Sequence, residues 1–235
     1  MEPIESRMEI SDNIIDEYIL HLSAKDFPCI GAKASIQKDQ SKFMVADHIG
    51  CPKDDREILK FLYDFIDEYR NTTEGYYSAS ILFKQPTTLT EEEFDSYLWT
   101  RLQSLADMDS VNYSHDKHVS DDPGSPDFCY SLKEEAFFII GMHAGSSRAS
   151  RHFKYPVLIF NPHAQFQKLR QTKAYSTMQN VIRAKDILYS GSVNPMLMDF
   201  AKGLEVNQYS GRNYDDSWKC PLKINHAELK HNTST

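Results

Sequence analysis

Two histidines that follow apolar runs are the strongest candidates in this chain for binding a metal ion. His143 comes directly after residues 136–142, and His163 comes shortly after residues 157–160. Imidazole is the commonest neutral nitrogen donor to iron or zinc in proteins. Apolar runs of this length between Gly and Pro are typical of buried strands. We therefore expect both rings at strand ends over a dry interior, either as metal ligands or as partners of backbone carbonyls.

The segment Asn161-Pro162-His163 gives a reason to expect His163 in its neutral form. Pro is favoured at the first turn of a helix, so this segment predicts a helix start. Free backbone N–H groups and the positive end of the helix then lie beside the imidazole and disfavour its protonation. The neutral ring is the form that coordinates a metal. A structural cap explains Asn161 equally well without any ligand.

Three arginines and one carboxylate are suited to charged ligands. Arg148 and Arg151 lie three residues apart between the two apolar runs, and a guanidinium fork binds carboxylate or phosphate through paired hydrogen bonds. They predict a site for an anionic group, with a solvated loop as the alternative. Glu205 precedes residues 208–212, which include Arg212, and a carboxylate in a pocket suits a cationic amine or guanidinium. A surface turn is the simpler interpretation of that segment.

Four scattered cysteines offer thiol ligands but no disulfide framework, because they form no CxxC pair. Cys29 follows Pro28, and a thiolate in such a loop can bind iron. A buried structural cysteine is the alternative. Nucleotide-binding, serine-hydrolase and zincin functions have no support, since the chain lacks their glycine-rich, G-x-S-x-G and H-E-x-x-H motifs.

The length of the chain predicts one globular domain, and its net charge argues against nucleic-acid binding. The chain has 235 residues, 40% of them hydrophobic, and no linker-like stretch divides it. A net charge of −8 argues against a phosphate-backbone footprint. Residues 1–25 lack a signal-peptide pattern, and no run reaches the roughly 18 apolar residues of a membrane span. We expect a cytoplasmic protein with one domain over residues 1–222 and a polar tail over residues 223–235.

Strand and helix patterns interleave without a strict order and predict an α+β, or irregular α/β, domain with a central, mainly buried sheet and flanking helices. The capping box of Thr90 and Glu93 marks the clearest helix start. Residues 107–127 have the composition of a long irregular loop. Further helices are predicted at residues 12–23, 58–69, 162–170, 178–190 and 195–201, and strands at residues 43–45, 78–83, 136–142 and 157–160.

Six ordered motifs together resemble the YqcI/YcgG family, also called FPC/CPF-motif proteins. The resemblance spans residues 27–222, which is nearly the whole chain, and six motifs in one order are far more specific than any one of them. One departure is Leu222, where the family's name implies Phe; we expect altered packing or pocket shape rather than loss of a cofactor. The motifs are Phe27-Pro28-Cys29, the loop from His143 to Arg151, Phe160 to Phe166, Gly191 to Pro195, Gln208 to Arg212, and Cys220-Pro221.

The resemblance implies a haem-b-dependent monooxygenase that N-hydroxylates a guanidine or amine nitrogen of an arginine-like molecule. It makes His143 and His163 the candidates for the axial haem ligand. Cys29 is the alternative, because a thiolate favours O–O cleavage. Glu205 becomes a clamp for the substrate guanidinium. The cofactor-binding residues that the resemblance implies are Arg148, Arg151, Phe160, Asn161 and Arg212.

The partners implied by the resemblance are a small guanidine or amine substrate and an external electron donor, with no nucleic acid and no membrane. Two other functions stay open. One is a haem-binding or haem-sensing protein without turnover. The other is a zinc-dependent hydrolase built on His143, His152 and His163.

Overall fold

A mixed sheet of five strands forms the centre of the described part of the protein. The computed structural model describes residues 4–72, 75–170, 173–192 and 203–225. The strands are β1 (Ser41–His48), β2 (Ser78–Gln85), β3 (Tyr130–Leu132), β4 (Glu135–Met142) and β5 (Val157–Pro162). They lie in the order β1-β2-β5-β4-β3; β1 and β2 are parallel, and every other neighbouring pair is antiparallel. This sheet confirms the predicted α+β domain with a central sheet and flanking helices.

Six helices flank the sheet within the described residues. They are α1 (Ile4–Ser23), α2 (Ile30–Gln37), α3 (Asp55–Arg70), α4 (Glu91–Asp109), α5 (His163–Arg170) and α6 (Lys173–Ser190). The capping box that predicted α4 is present: the Thr90 hydroxyl accepts from the Glu93 N–H at 3.1 Å, and the Glu93 carboxylate accepts from the Thr90 N–H at 2.8 Å. Helix α2 and strand β3 have no counterpart among the elements predicted from the sequence. The helix predicted at residues 195–201 lies outside the described residues.

The two faces of the sheet bury different side chains, because consecutive strand residues point to opposite faces. Helices α3 and α4 cover one face, where Phe137, Ile139 and Phe160 are fully buried. Helix α1 packs on the other face, where Met142 and Ile159 join a second cluster. Neighbouring residues of β4 and of β5 therefore enter different layers of the protein.

The last described residues are held against α4. The Lys223 N–H donates to Gln103 Oε1 at 2.8 Å, and the Lys223 carbonyl accepts from Gln103 Nε2 at 2.9 Å. Ile224 packs against the core on the α3–α4 side. Lys223 and Ile224, which we assigned to the polar tail, thus belong to the packed domain, and residues 226–235 of that tail lie outside the described residues. None of the described helices is long and apolar enough to cross a membrane.

Candidate functional site

A cavity of about 340 Å³ lies on the α1 side of the sheet, between the strands and helices α1, α2, α5 and α6. Its volume falls within the range of about 300–1,000 Å³ that is typical of small-molecule sites. Strand alternation supplies one wall, where Ile140, Met142 and Ile159 face the cavity. Such a lining suits a largely apolar ligand. The aromatic residues of the wall include Phe27, Phe43, Tyr76, Phe138 and Phe166.

Six of the nine predicted site residues line this cavity. They come from four separate segments of the chain, which the fold brings to one place. An apolar cavity with a few convergent polar groups is the usual form of a ligand site. The six residues are Cys29, Arg148, Arg151, Asn161, His163 and Glu205.

The other three predicted site residues lie outside the cavity, and strand alternation explains two of them. His143 continues the register of β4 that faces α4, so its buried ring stacks on Phe94 with the ring centroids 4.2 Å apart. Phe160 turns the same way and is buried in the core with α3 and α4. Arg212 instead forms an ion pair with Glu92, with 3.2 Å between Nη2 and Oε1.

Arg151 is a buried cation at the cavity wall, 8% exposed, and it is held by backbone carbonyls. Its Nη1 and Nη2 atoms donate to the carbonyl oxygens of Gly141 and Gln208, each at 3.1 Å. No carboxylate among the described residues forms an ion pair with it, whereas Arg148 is paired with Asp186. Burial and the nearby Arg148 lower the pKa of Arg151 to about 10. A buried cation without a paired anion favours an anionic ligand in the cavity.

Cys29 lines the cavity at the start of α2. It is the N-cap residue of that helix, and its Sγ accepts a hydrogen bond from the Ala32 N–H at 3.4 Å. Burial raises the pKa of the thiol, while the N–H groups of Ala32 and Gly31 lower it. Backbone N–H groups at a helix N-terminus stabilise a thiolate. Burial is the larger effect and the pKa is raised overall, so the sulfur would become anionic only when a metal cation binds to it.

A second cluster, formed by Cys129, His163 and Glu205, lies at the wall of the cavity. One ligand-type atom from each residue lies within 4.8 Å of the other two. Cys129 Sγ is 3.0 Å from His163 Nδ1, and the Tyr209 hydroxyl donates to Glu205 Oε1 at 3.0 Å. Burial lowers the pKa of His163 to about 4 and raises the pKa of Glu205 to about 7. A thiol, an imidazole and a carboxylate this close together could hold a metal ion.

Cys129 is not among the site residues predicted from the sequence, and the described residues do not bring together the three histidines of the zinc hypothesis. Cys129 ends the long loop before β3, and only its residue type could have singled it out. His143 and His152 are neighbours through a backbone bridge. Within the described ranges, one group of three side chains is close enough to hold a metal ion, and it joins His163 to Cys129 and Glu205 rather than to the other two histidines. The described residues therefore form no zinc site from His143, His152 and His163.

Comparison with known proteins identifies the family of this chain. A model of the YqcI/YcgG family matches residues 16–223. The chain belongs to the YqcI/YcgG family. It is 27% identical over 206 residues to "Uncharacterized protein YqcI" of Bacillus subtilis (strain 168), an overlap of 83% of this chain and 80% of that relative. No solved structure matches the chain.

In this YqcI/YcgG protein, four of the six motifs supply residues to the cavity: those at residues 27–29, 143–151, 160–166 and 208–212. The motif at residues 191–195 lies mostly outside the described residues. Leu222, where the family's name implies Phe, is buried in the core with α3 and α4. Its effect on packing therefore falls on the side of the sheet away from the cavity.

Proposed function

We propose that this protein is a haem-dependent monooxygenase that hydroxylates a guanidine or amine nitrogen of an arginine-like small molecule. The observation that carries the proposal is the convergence of Cys29, Arg151, His163 and Glu205 on one apolar cavity. In the reaction, the substrate N–H and O₂, with two electrons and two protons, give the N–OH product and water. Haem b, when bound, supplies the activation of O₂. The electrons come from a separate donor.

The side chains that line the cavity and the positive charge at its wall both suit haem. Aromatic side chains match the apolar macrocycle, and Arg151 offers a buried positive charge to a propionate. Arg148 is a second candidate for binding a propionate. It forms an ion pair with Asp186, and a propionate would take the place of that carboxylate. Asn161 lines the same cavity and is held in place because its amide donates to the Phe138 carbonyl at 3.1 Å.

The closeness of His163 to Glu205 distinguishes the two axial-ligand candidates that line the cavity. Ligand-type atoms of His163 and Glu205 lie within 4.8 Å of each other, so both belong to the part of the cavity in which a substrate cation would bind. With Glu205 as the substrate clamp, Cys29 would be the residue that holds the haem iron. The N–H···S bond from Ala32 supports this assignment, since it stabilises the thiolate that iron requires.

Glu205 is the proposed clamp for the substrate cation. It lines the cavity, is 8% exposed, and is oriented by the Tyr209 hydroxyl at 3.0 Å from Oε1. With a pKa of about 7, its carboxyl group is partly protonated near neutral pH. A guanidinium beside it favours the ionised form and donates two parallel hydrogen bonds to the carboxylate oxygens. This contact would fix the position of the nitrogen that is to be hydroxylated.

Absorption spectroscopy tests the cofactor and its ligand. Protein from cells supplied with haem, or protein loaded with hemin, is expected to show a Soret band. Cys29→Ser should lose the red-shifted ferrous–CO band that is typical of thiolate ligation, whereas His163→Ala should keep it. Loss of the band in His163→Ala but not in Cys29→Ser would make His163 the axial ligand. Wild-type protein that does not take up hemin would refute the haem assignment.

Mass spectrometry tests the reaction. Protein loaded with haem and incubated with arginine, a reductant and O₂ should form a product that is heavier by one oxygen atom. A control without reductant should form none, because the reaction needs two electrons. Haem uptake without any product from guanidine or amine substrates would instead indicate a haem-binding or haem-sensing protein.

A further inference from the structure

We infer that Cys129, His163 and Glu205 form a binding site for a divalent transition-metal ion of the zinc and cobalt class. The residues come from three places in the chain: directly before β3, the first position of α5, and the first position of the 3₁₀ helix Glu205–Gln208. All three are buried, with exposures of 0%, 2% and 8%. One ligand-type atom from each lies within 4.8 Å of the others. The inference does not depend on the haem proposed above.

The three donors favour a borderline-soft ion. Zn²⁺ binds Cys sulfur at about 2.3 Å, and His nitrogen and carboxylate oxygen at about 2.0–2.2 Å. Ligand atoms on one tetrahedral ion therefore lie about 3–4 Å apart. The separations in the cluster, 3.0 Å between Cys129 Sγ and His163 Nδ1 and 4.8 Å at most, need only small side-chain movements to match. Mg²⁺ and Ca²⁺ prefer shells of six or more oxygen ligands, which a single carboxylate does not supply.

Hydrogen bonds outside the cluster hold its carboxylate in position. Tyr209 is fully buried, and its hydroxyl donates to Glu205 Oε1 at 3.0 Å. The same hydroxyl accepts from the Tyr130 N–H at 3.1 Å, and Tyr130 is the neighbour of Cys129 in the chain. Partners of this kind orient the ligands of a metal, and their loss typically weakens metal binding by about 10- to 100-fold.

The proposed ion would have one coordination position open to the cavity. Three protein ligands leave the fourth position of a tetrahedral ion free for water or a small ligand. His163 and Glu205 line the cavity, so this position faces the cavity contents. A second use of the same carboxylate rests on the clamp role proposed above: Glu205 would serve the ion in one state and a guanidinium substrate in the other. A transition-metal ion and a cationic substrate are therefore alternative occupants of this part of the cavity.

Titration of the metal-free full-length protein with Co²⁺ tests the site. A tetrahedral Co²⁺ ion with a thiolate ligand gives sulfur-to-metal charge-transfer bands and intense d–d bands. We expect one Co²⁺ per chain, displaced by Zn²⁺ but not by Mg²⁺. Cys129→Ser should abolish the charge-transfer band. Cys51→Ser, which removes an exposed thiol, is the matched control and should keep it.

Cys29→Ser separates this inference from the proposed haem function. It should keep the Co²⁺ band and lose the thiolate-type haem spectrum, whereas Cys129→Ser should show the opposite pattern. Tyr209→Phe should weaken Co²⁺ binding by about tenfold while keeping the shape of the spectrum. A Cys129→Ser protein that is folded by circular dichroism and retains the band would overturn the inference. If Cys129→Ser does not fold, Glu205→Gln replaces it, and an unchanged Co²⁺ affinity in that variant would overturn the inference as well.

Discussion

Replacing Glu205 with Gln should make the ligand-free protein more stable, by an amount that depends on pH. Glu205 is 8% exposed, and burial raises the pKa of its carboxyl group from 4.5 to about 7. In the unfolded chain the group returns to its ordinary pKa. Folding at neutral pH therefore buries a charge or takes up a proton, and both cost free energy. Gln has nearly the same shape and no charge, so the variant avoids this cost.

The size and sign of the effect follow from the two pKa values. One pKa unit corresponds to about 1.4 kcal/mol, so the difference between 4.5 and about 7 amounts to about 3 kcal/mol. Below pH 4.5 the folded and unfolded states both hold the proton, and the cost is absent. It grows as the pH rises from 4.5 and is fully present above about pH 7. The stability advantage of Glu205→Gln over the wild type should rise accordingly.

Urea unfolding followed by circular dichroism, at pH steps from about 4 to about 8, measures this advantage. The control is Glu57→Gln, which makes the same chemical change at an exposed position of α3. A difference between Glu205→Gln and wild type that stays constant with pH, or that shrinks as the pH rises, would refute the reasoning. It would mean that the carboxyl group is already compensated in the folded protein.

Four other changes have expected outcomes. Arg151→Met removes the buried cation and should weaken hemin binding by about 1.5–3 kcal/mol, or roughly tenfold or more, in a hemin titration; an unchanged affinity excludes Arg151 as an anchor. Arg101→Met leaves the buried Asp55 without its ion-pair partner and should destabilise the protein by about 3–5 kcal/mol in urea unfolding, whereas a loss below about 1 kcal/mol would contradict this. Guanidine binding, measured by calorimetry, should weaken by about tenfold per pH unit below about pH 7 as Glu205 gains a proton; a flat profile argues against the clamp. Zn²⁺ should compete with guanidine binding, and Cys129→Ser should relieve the competition; Zn²⁺ without effect on the wild type would contradict shared use of Glu205.

Local signals in the sequence predicted the elements well where they were strong. The capping box of Thr90 and Glu93 gave the start of α4, and continuous apolar runs gave β4 and β5. Those runs could not show which face each residue takes, because both faces of the sheet are buried. Phe160 and Asn161 were predicted together as cofactor residues, yet adjacent strand positions point to opposite faces. Only Asn161 reaches the cavity.

Features that depend on distant parts of the chain could not be predicted from residue types. Helix α2 has only eight residues and follows a cysteine cap, so neither its periodicity nor its start resembles a typical helix. Cys129 becomes notable only because the fold places it 3.0 Å from His163, a residue 34 positions later. The partners of Arg151 are backbone carbonyls, which no sequence motif marks.

The sheet has a filled core on one face and a cavity on the other, so the size of the cavity can vary independently of the core. Phe160 fills space against α3 and α4, while its neighbour Ile159 borders the cavity. A smaller or larger side chain at Ile159, Ile140 or Met142 would enlarge or narrow the cavity and leave the opposite layer intact. Changes at alternate positions of these strands would therefore alter the space on one face of the sheet without disturbing the packing on the other.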